Sequence, residues 1–110
     1  MILGIELGST RIKSVIIDRE GIVVATGEYS WENRLENGFW TYSEDEIRQG
    51  LRESYADLKR NYECAYSKKL TRFDAIGVSA MMHGYLAFDK EDRLLVPFRT
   101  WRNANTGSLF

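Results

Sequence analysis

The chain reads as an α/β domain in which a meander of short strands precedes one long helix and a further strand, and three observations predict it. Runs rich in Ile and Val alternate with other residues over the first 28 positions. Large apolar residues then recur at helical steps from Ile47 to Tyr62, and a short apolar run from Asp74 to Ser79 follows. A strand that comes after a helix returns parallel to an earlier one, so a mixed sheet is expected.

Taken in order, the turn signals Gly8-Ser9-Thr10-Arg11 and Asp18-Arg19-Glu20-Gly21 separate strands expected at Ile2 to Leu7, Ile12 to Asp18 and Ile22 to Glu28. Tight connections make these three antiparallel. Residues 29–42 show no sustained period and carry the turn pair Asn37-Gly38 between aromatics, which predicts an ordered loop. Ser43 followed three residues later by Glu46 has capping-box spacing, and Ile47, Leu51, Tyr55, Leu58 and Tyr62 then mark one face of a long amphipathic helix. Gly50 inside that helix costs about 1 kcal/mol relative to Ala, which calls for close packing at that point or a weaker helix. After the Asp74 to Ser79 strand, Tyr85 to Asp89 and Leu94 to Val96 flank the charged turn Lys90-Glu91-Asp92-Arg93 and predict a late hairpin.

Composition narrows the functions. With 110 residues and 44% apolar content the chain can build one core, but not two sizeable domains with a cleft between them. Fifteen Lys plus Arg stand against 16 Asp plus Glu, so no basic excess favours nucleic acid or an anionic membrane surface. No apolar run approaches the roughly 20 residues of a spanning helix, and the first charge, Glu6, falls inside an apolar stretch where a leader would carry basic residues. Cys64 stands alone, which excludes an internal disulfide and argues against a catalytic thiol, and a reduced cytoplasmic setting is the expectation. Small molecules become the expected partners.

Gly4-Ile5-Glu6-Leu7-Gly8-Ser9-Thr10-Arg11-Ile12-Lys13 sets a carboxylate at a strand end, a glycine turn with two hydroxyls, and a cation on the next strand. Backbone amides of such a turn can converge on phosphate oxygens, the hydroxyls add donors, Lys13 adds charge, and Glu6 can hold a hydrated Mg²⁺. Spacing alone leaves an ordinary hairpin with polar turn residues as the alternative. Two further segments stand beside it: Ser79-Ala80-Met81-Met82-His83-Gly84 after the buried strand, and Pro97-Phe98-Arg99-Thr100-Trp101-Arg102-Asn103 after the late hairpin. The tryptophans and Phe39 between residues 31 and 40 read as a loop packed by its own aromatics, and Glu44, Asp45 and Glu46 as acidic residues favouring a helix N-terminus.

In this order the three segments resemble the N-terminal part of the FGGY family of carbohydrate kinases, and the resemblance spans nearly all 110 residues. It implies a ribonuclease-H-like α/β fold shared with actin, sugar kinases and Hsp70, with ATP and Mg²⁺ as cofactors and a sugar or polyol, a xylulose-like ketose first, as substrate. It implies that Ser9, Thr10 and Lys13 bind phosphate and that Glu6 stands near the metal, where most members have Asp. It further implies that Met82 and His83 line the sugar site, His83 binding a hydroxyl and not removing its proton, with Trp101 stacking on the sugar or the wall and Arg102 and Asn103 donating to hydroxyls. The catalytic aspartate and adenosine motifs of the family lie well downstream of residue 110, so residues 1–110 are expected to be part of a domain and inactive alone. Uncovered edges or faces of such a part are expected to favour pairing as a homodimer. An actin-like or Hsp70-like ATPase shares the first hairpin, but Met82-His83-Gly84 and Trp101-Arg102-Asn103 are not expected in it.

Overall fold

A computed structural model describes residues 1–100 and Asn103. Among these residues the order is β1 (Ile2–Leu7), β2 (Arg11–Ile17), β3 (Val23–Ser30), β4 (Arg34–Glu36), β5 (Phe39–Thr41), α1 (Glu44–Tyr66) and β6 (Ala75–Ala80). Strands β3, β2, β1 and β6 form one sheet in that spatial order, antiparallel except for the parallel β1–β6 pair. The mixed sheet and the parallel return after the helix are as the sequence predicts.

Two expectations are corrected. The aperiodic stretch 29–42 contains a two-stranded hairpin, β4 with β5, turned at Asn37 and Gly38, whose φ of 50° and 81° are the left-handed values that this pair tolerates. Three-residue strands are too short for alternation to be read in sequence. Conversely, the late hairpin closes only through isolated bridges, Phe88 with Leu94 and Tyr85 with Arg99, without continuous strands. Its turn is nevertheless well built: the Asp89 carboxylate accepts from the amides of Glu91 and Arg93, each at 2.9 Å. Asp18 does the same for Glu20 and Ile22 in the turn before β3.

Ser43 caps α1 as its spacing predicts, accepting from the Glu46 amide at 3.0 Å. The Glu46 carboxylate ion-pairs with Arg34 of β4 at 2.6 Å. The helix contacts the sheet through its smallest residues. Gly50 and Ser54 are buried together with Leu58 and Tyr62, and a Cβ on Gly27 of β3 would lie 2.3 Å from the Leu58 amide nitrogen and the Ser54 carbonyl oxygen. At this crossing the Ser14 hydroxyl donates to the Ser54 carbonyl at 2.9 Å and receives from the Ser54 hydroxyl at 3.0 Å, which satisfies both buried side chains. Close packing is therefore the reason for Gly50.

Alternation sorts the sheet into two faces. Leu3, Ile5 and Leu7 of β1 stand beside Ile16, Ser14 and Ile12 of β2 and face α1, where Leu3, Ile16, Leu58, Tyr62 and Leu70 form one core cluster. Ile12, Trp31, Tyr42 and Phe98 form a second at the other end. On the opposite face, Ser79, Glu6, Lys13 and Glu28 make a row across all four strands. The register thus puts the charged residues of the glycine-turn motif on the side away from α1.

Candidate functional site at the C-terminal edge of the parallel pair

Strands β1 and β6 end together, with Leu7 beside Ala80, and the amide of Met81 donates to the Leu7 carbonyl at 3.1 Å. The Gly8 turn and the Met81–Gly84 loop therefore leave the sheet side by side from the carboxyl ends of two parallel strands, the usual place for a ligand crevice in α/β sheets. Two segments predicted to carry chemistry, 73 residues apart at Gly8 and Met81, meet there because β6 runs parallel to β1.

The turn itself is held from behind. The Gly8 amide donates to the Arg11 carbonyl at 2.9 Å and closes the hairpin. Trp31 contributes two bonds, its backbone amide to the Thr10 carbonyl at 3.0 Å and its indole Nε1 to the Gly8 carbonyl at 2.8 Å. The Tyr42 hydroxyl donates to the Ser9 carbonyl. Every carbonyl from Gly8 to Arg11 is thereby engaged, whereas the amides of Ser9 and Thr10 have no partner among the described residues. Both side chains are exposed.

Lys13 lies on β2 between Glu6 of β1 and Glu28 of β3, and all three are exposed on the open face. Glu28 pairs with Arg11 at 3.6 Å, and Lys13 makes no ion pair among the described residues. These side chains, with Ser79 and the small residues Gly4 and Gly77, line an open trough of about 830 Å³. Gly8 is required by the turn itself, since a Cβ there would lie 2.9 Å from the Arg11 carbonyl oxygen. No cluster of three or more metal-ligating side chains occurs among the described residues. The residues present fit a hydrated Mg²⁺ held by the single carboxylate of Glu6 and by phosphate oxygens, a cation that keeps several waters and needs no all-protein cage.

At the other end of the site, the Met82–Gly84 loop runs into Tyr85, which exchanges backbone hydrogen bonds with Arg99 at 2.9 and 3.0 Å. Met82 is 88% exposed and His83 is exposed. Gly84 is required by Phe98, whose ring would lie 2.9 Å from an added Cβ. Asn103, expected from sequence to donate to substrate hydroxyls, has its carboxamide on the backbone of β5 in this structure: Nδ2 donates to the Trp40 carbonyl at 2.7 Å and Oδ1 accepts from the Trp40 amide at 2.8 Å. Trp101 and Arg102 lie outside the described residues. Sequence reasoning passed over Trp31 and Tyr42. Their signal was the density of aromatics between two turn-rich stretches, but neither a period nor a motif tied them to Gly8.

Similarity to known proteins agrees with this geometry. Residues 1–109 match the model of the FGGY family of carbohydrate kinases, N-terminal domain. Among solved structures, the xyloylose kinase of Brucella ovis is 27% identical with a TM-score of 0.75, covering 90% of this chain and 20% of its own. The ligand-bound xylulose kinase of Lactobacillus acidophilus is 26% identical with a TM-score of 0.70, over 91% of this chain and 19% of its own. The gluconate kinase of the same organism gives 26%, 0.71, 91% and 19%. No curated protein matches. The chain thus spans about a fifth of the length of these structures. Its mixed sheet and packed helix are those of the ribonuclease-H-like fold that actin, sugar kinases and Hsp70 share. On the match over residues 1–109, the chain belongs to the FGGY family of carbohydrate kinases.

Proposed function

We propose that the protein carrying this chain transfers the γ-phosphoryl group of ATP to a hydroxyl of a small sugar or polyol, a xylulose-like ketose first among them, in the cytoplasm. The observation that carries the reading is the convergence of the Gly8 turn and the His83 loop at the shared end of β1 and β6. Phosphoryl transfer is mostly positioning and charge stabilisation, and it needs donor and acceptor sites side by side. Ser9 and Thr10 present hydroxyls and unengaged amides to the phosphates, Lys13 supplies their cation, and Glu6 would hold a hydrated Mg²⁺, which would supply further positive charge at the phosphates. Met82 and His83 line the sugar site, the role proposed also for Trp101 and Arg102, and the Asn103 carboxamide bonds to the backbone of β5. The xylulose and gluconate kinases among the similar structures support a carbohydrate acceptor and leave its identity open to assay. Residues 1–110 supply one wall of the site, and the base that takes the hydroxyl proton belongs to the remainder of the enzyme.

The test is ADP release by the full-length protein with ATP, Mg²⁺ and a panel of ketoses, sugar acids and polyols. Lys13→Ala is expected to lower kcat/KM for ATP about a hundredfold. His83→Ala is expected to raise the sugar KM about tenfold and leave the ATP KM unchanged. Wild-type kinetics of Lys13→Ala at every ATP concentration would remove the phosphate role, and an unchanged KM of His83→Ala for every accepted sugar would remove the sugar role.

A further inference from the structure

The turn that closes β1 onto β2 shows a division of labour that its own residues do not explain. In a trans peptide unit the carbonyl and the following amide point to opposite sides, and the described residues contain no cis bond. The Gly8 carbonyl is held by Trp31 Nε1 and the Ser9 carbonyl by the Tyr42 hydroxyl. These two carbonyls share their peptide units with the amides of Ser9 and Thr10, the two turn donors without a partner among the described residues. Pulling both carbonyls into the fold turns both amides outward, side by side, as an anion-binding concavity requires.

The two aromatic residues are built for this task. Trp31 is 3% and Tyr42 1% exposed, and their rings stack at 4.0 Å with 23° between planes. Phe98 packs on Tyr42 at 5.7 Å and closes on Gly84 beside His83. One buried aromatic plate therefore braces both the turn and the loop proposed to meet the sugar. We infer that Trp31 and Tyr42 are positioning residues, which orient the Ser9 and Thr10 amides toward the phosphate oxygens of the nucleotide. The inference rests on the kinase reading above and adds that a hydroxyl and an indole N–H, both on buried side chains, set the phosphate affinity of the turn.

Tyr42→Phe removes the hydroxyl and keeps the ring stack. Calorimetric titration of the full-length wild type and this variant with MgATP and with AMP, alongside the sugar KM, separates positioning from general loosening. The ATP affinity of Tyr42→Phe is expected to fall about tenfold, with AMP affinity and sugar KM unchanged. Equal ATP affinity in variant and wild type overturns the inference, and so does a parallel loss for ATP, AMP and sugar. Trp31→Phe, which removes the donor to Gly8, is expected to repeat the pattern if Tyr42→Phe does not fold. In ¹⁵N-labelled wild type, the amide signals of Ser9 and Thr10 should move with MgATP and not with AMP, and their failure to move overturns the inference without any variant. A wild type that binds no ATP would overturn the kinase reading itself.

Discussion

At the residue scale, individual groups do work that their type alone does not announce. Asp74 joins the starts of the two parallel strands: its amide donates to the Met1 carbonyl at 2.9 Å, and its carboxylate takes a hydrogen bond from the Met1 ammonium at 2.7 Å. That hydrogen bond, followed by the ammonium charge itself and the nearby Arg72, holds the Asp74 carboxyl below its ordinary value of 3.8. Because the folded value lies below the unfolded one, the stabilisation is fully present above pH 3.8 and is lost as the pH falls through the folded value. Asp74→Asn is therefore expected to flatten a small acid-side loss of stability below that pH, seen as the urea midpoint followed against pH. The pair is solvent-exposed, so the effect is small.

At the element scale, the crossing of α1 over β2 and β3 decides how closely helix and sheet approach. The periodic residues Leu58 and Tyr62 are buried as the pattern predicts, but closeness is set by Gly27, Gly50, Ser14 and Ser54. The two glycines differ in what surrounds them. A methyl on Gly27 would strike the helix backbone at 2.3 Å, whereas one on Gly50 would meet the movable tips of Ile12 at 2.5 Å and Tyr29 at 2.8 Å. Gly27→Ala is expected to destabilise by about 3 kcal/mol or more. Gly50→Ala should cost only about 1 to 2 kcal/mol, because the better helix propensity of Ala returns part of the strain. Urea unfolding of the two variants checks the order. The helix also covers the free edge of β3, with Asp57 accepting from the Glu28 amide at 3.0 Å and Asn61 donating to the Thr26 carbonyl at 2.8 Å, so this edge offers fewer open groups to another strand.

On the scale of the whole molecule, the opposite edge of the sheet has no further strand beside it among the described residues. Every residue of β6 is exposed, and Ile76 and Val78, at 61% and 67% exposure, stand on the same face as the buried Leu3 of β1. An apolar face beside an unpaired strand edge draws a partner. The 110-residue chain alone is expected to self-associate as its concentration rises, and Val78→Lys to weaken that association in sedimentation experiments. It is also expected to release no ADP in response to any sugar, since on the proposed reading it carries one wall of the site. Sustained sugar-dependent ADP release, abolished by Lys13→Ala, would show that a proton acceptor lies within these residues.

Much of this was legible in sequence because it rests on local chemistry. Alternation in β1 and β2, the Ser43 cap, the helical steps from Ile47 to Tyr62 and the Gly8–Arg11 turn depend on neighbours within a few positions, and the structure has each of them. The two segments proposed to meet phosphate and sugar could be named one by one for the same reason. That they lie together was decided by the parallel pairing of β1 with β6, a contact across about 70 residues that no local pattern encodes. The roles of Trp31 and Tyr42 belong to the same class: each reaches back more than 20 residues to a turn carbonyl, and only the folded chain brings donor and acceptor together. Side-chain type and period thus determined the elements and the chemistry available, while strand order and buried hydrogen bonds decided which groups face one another.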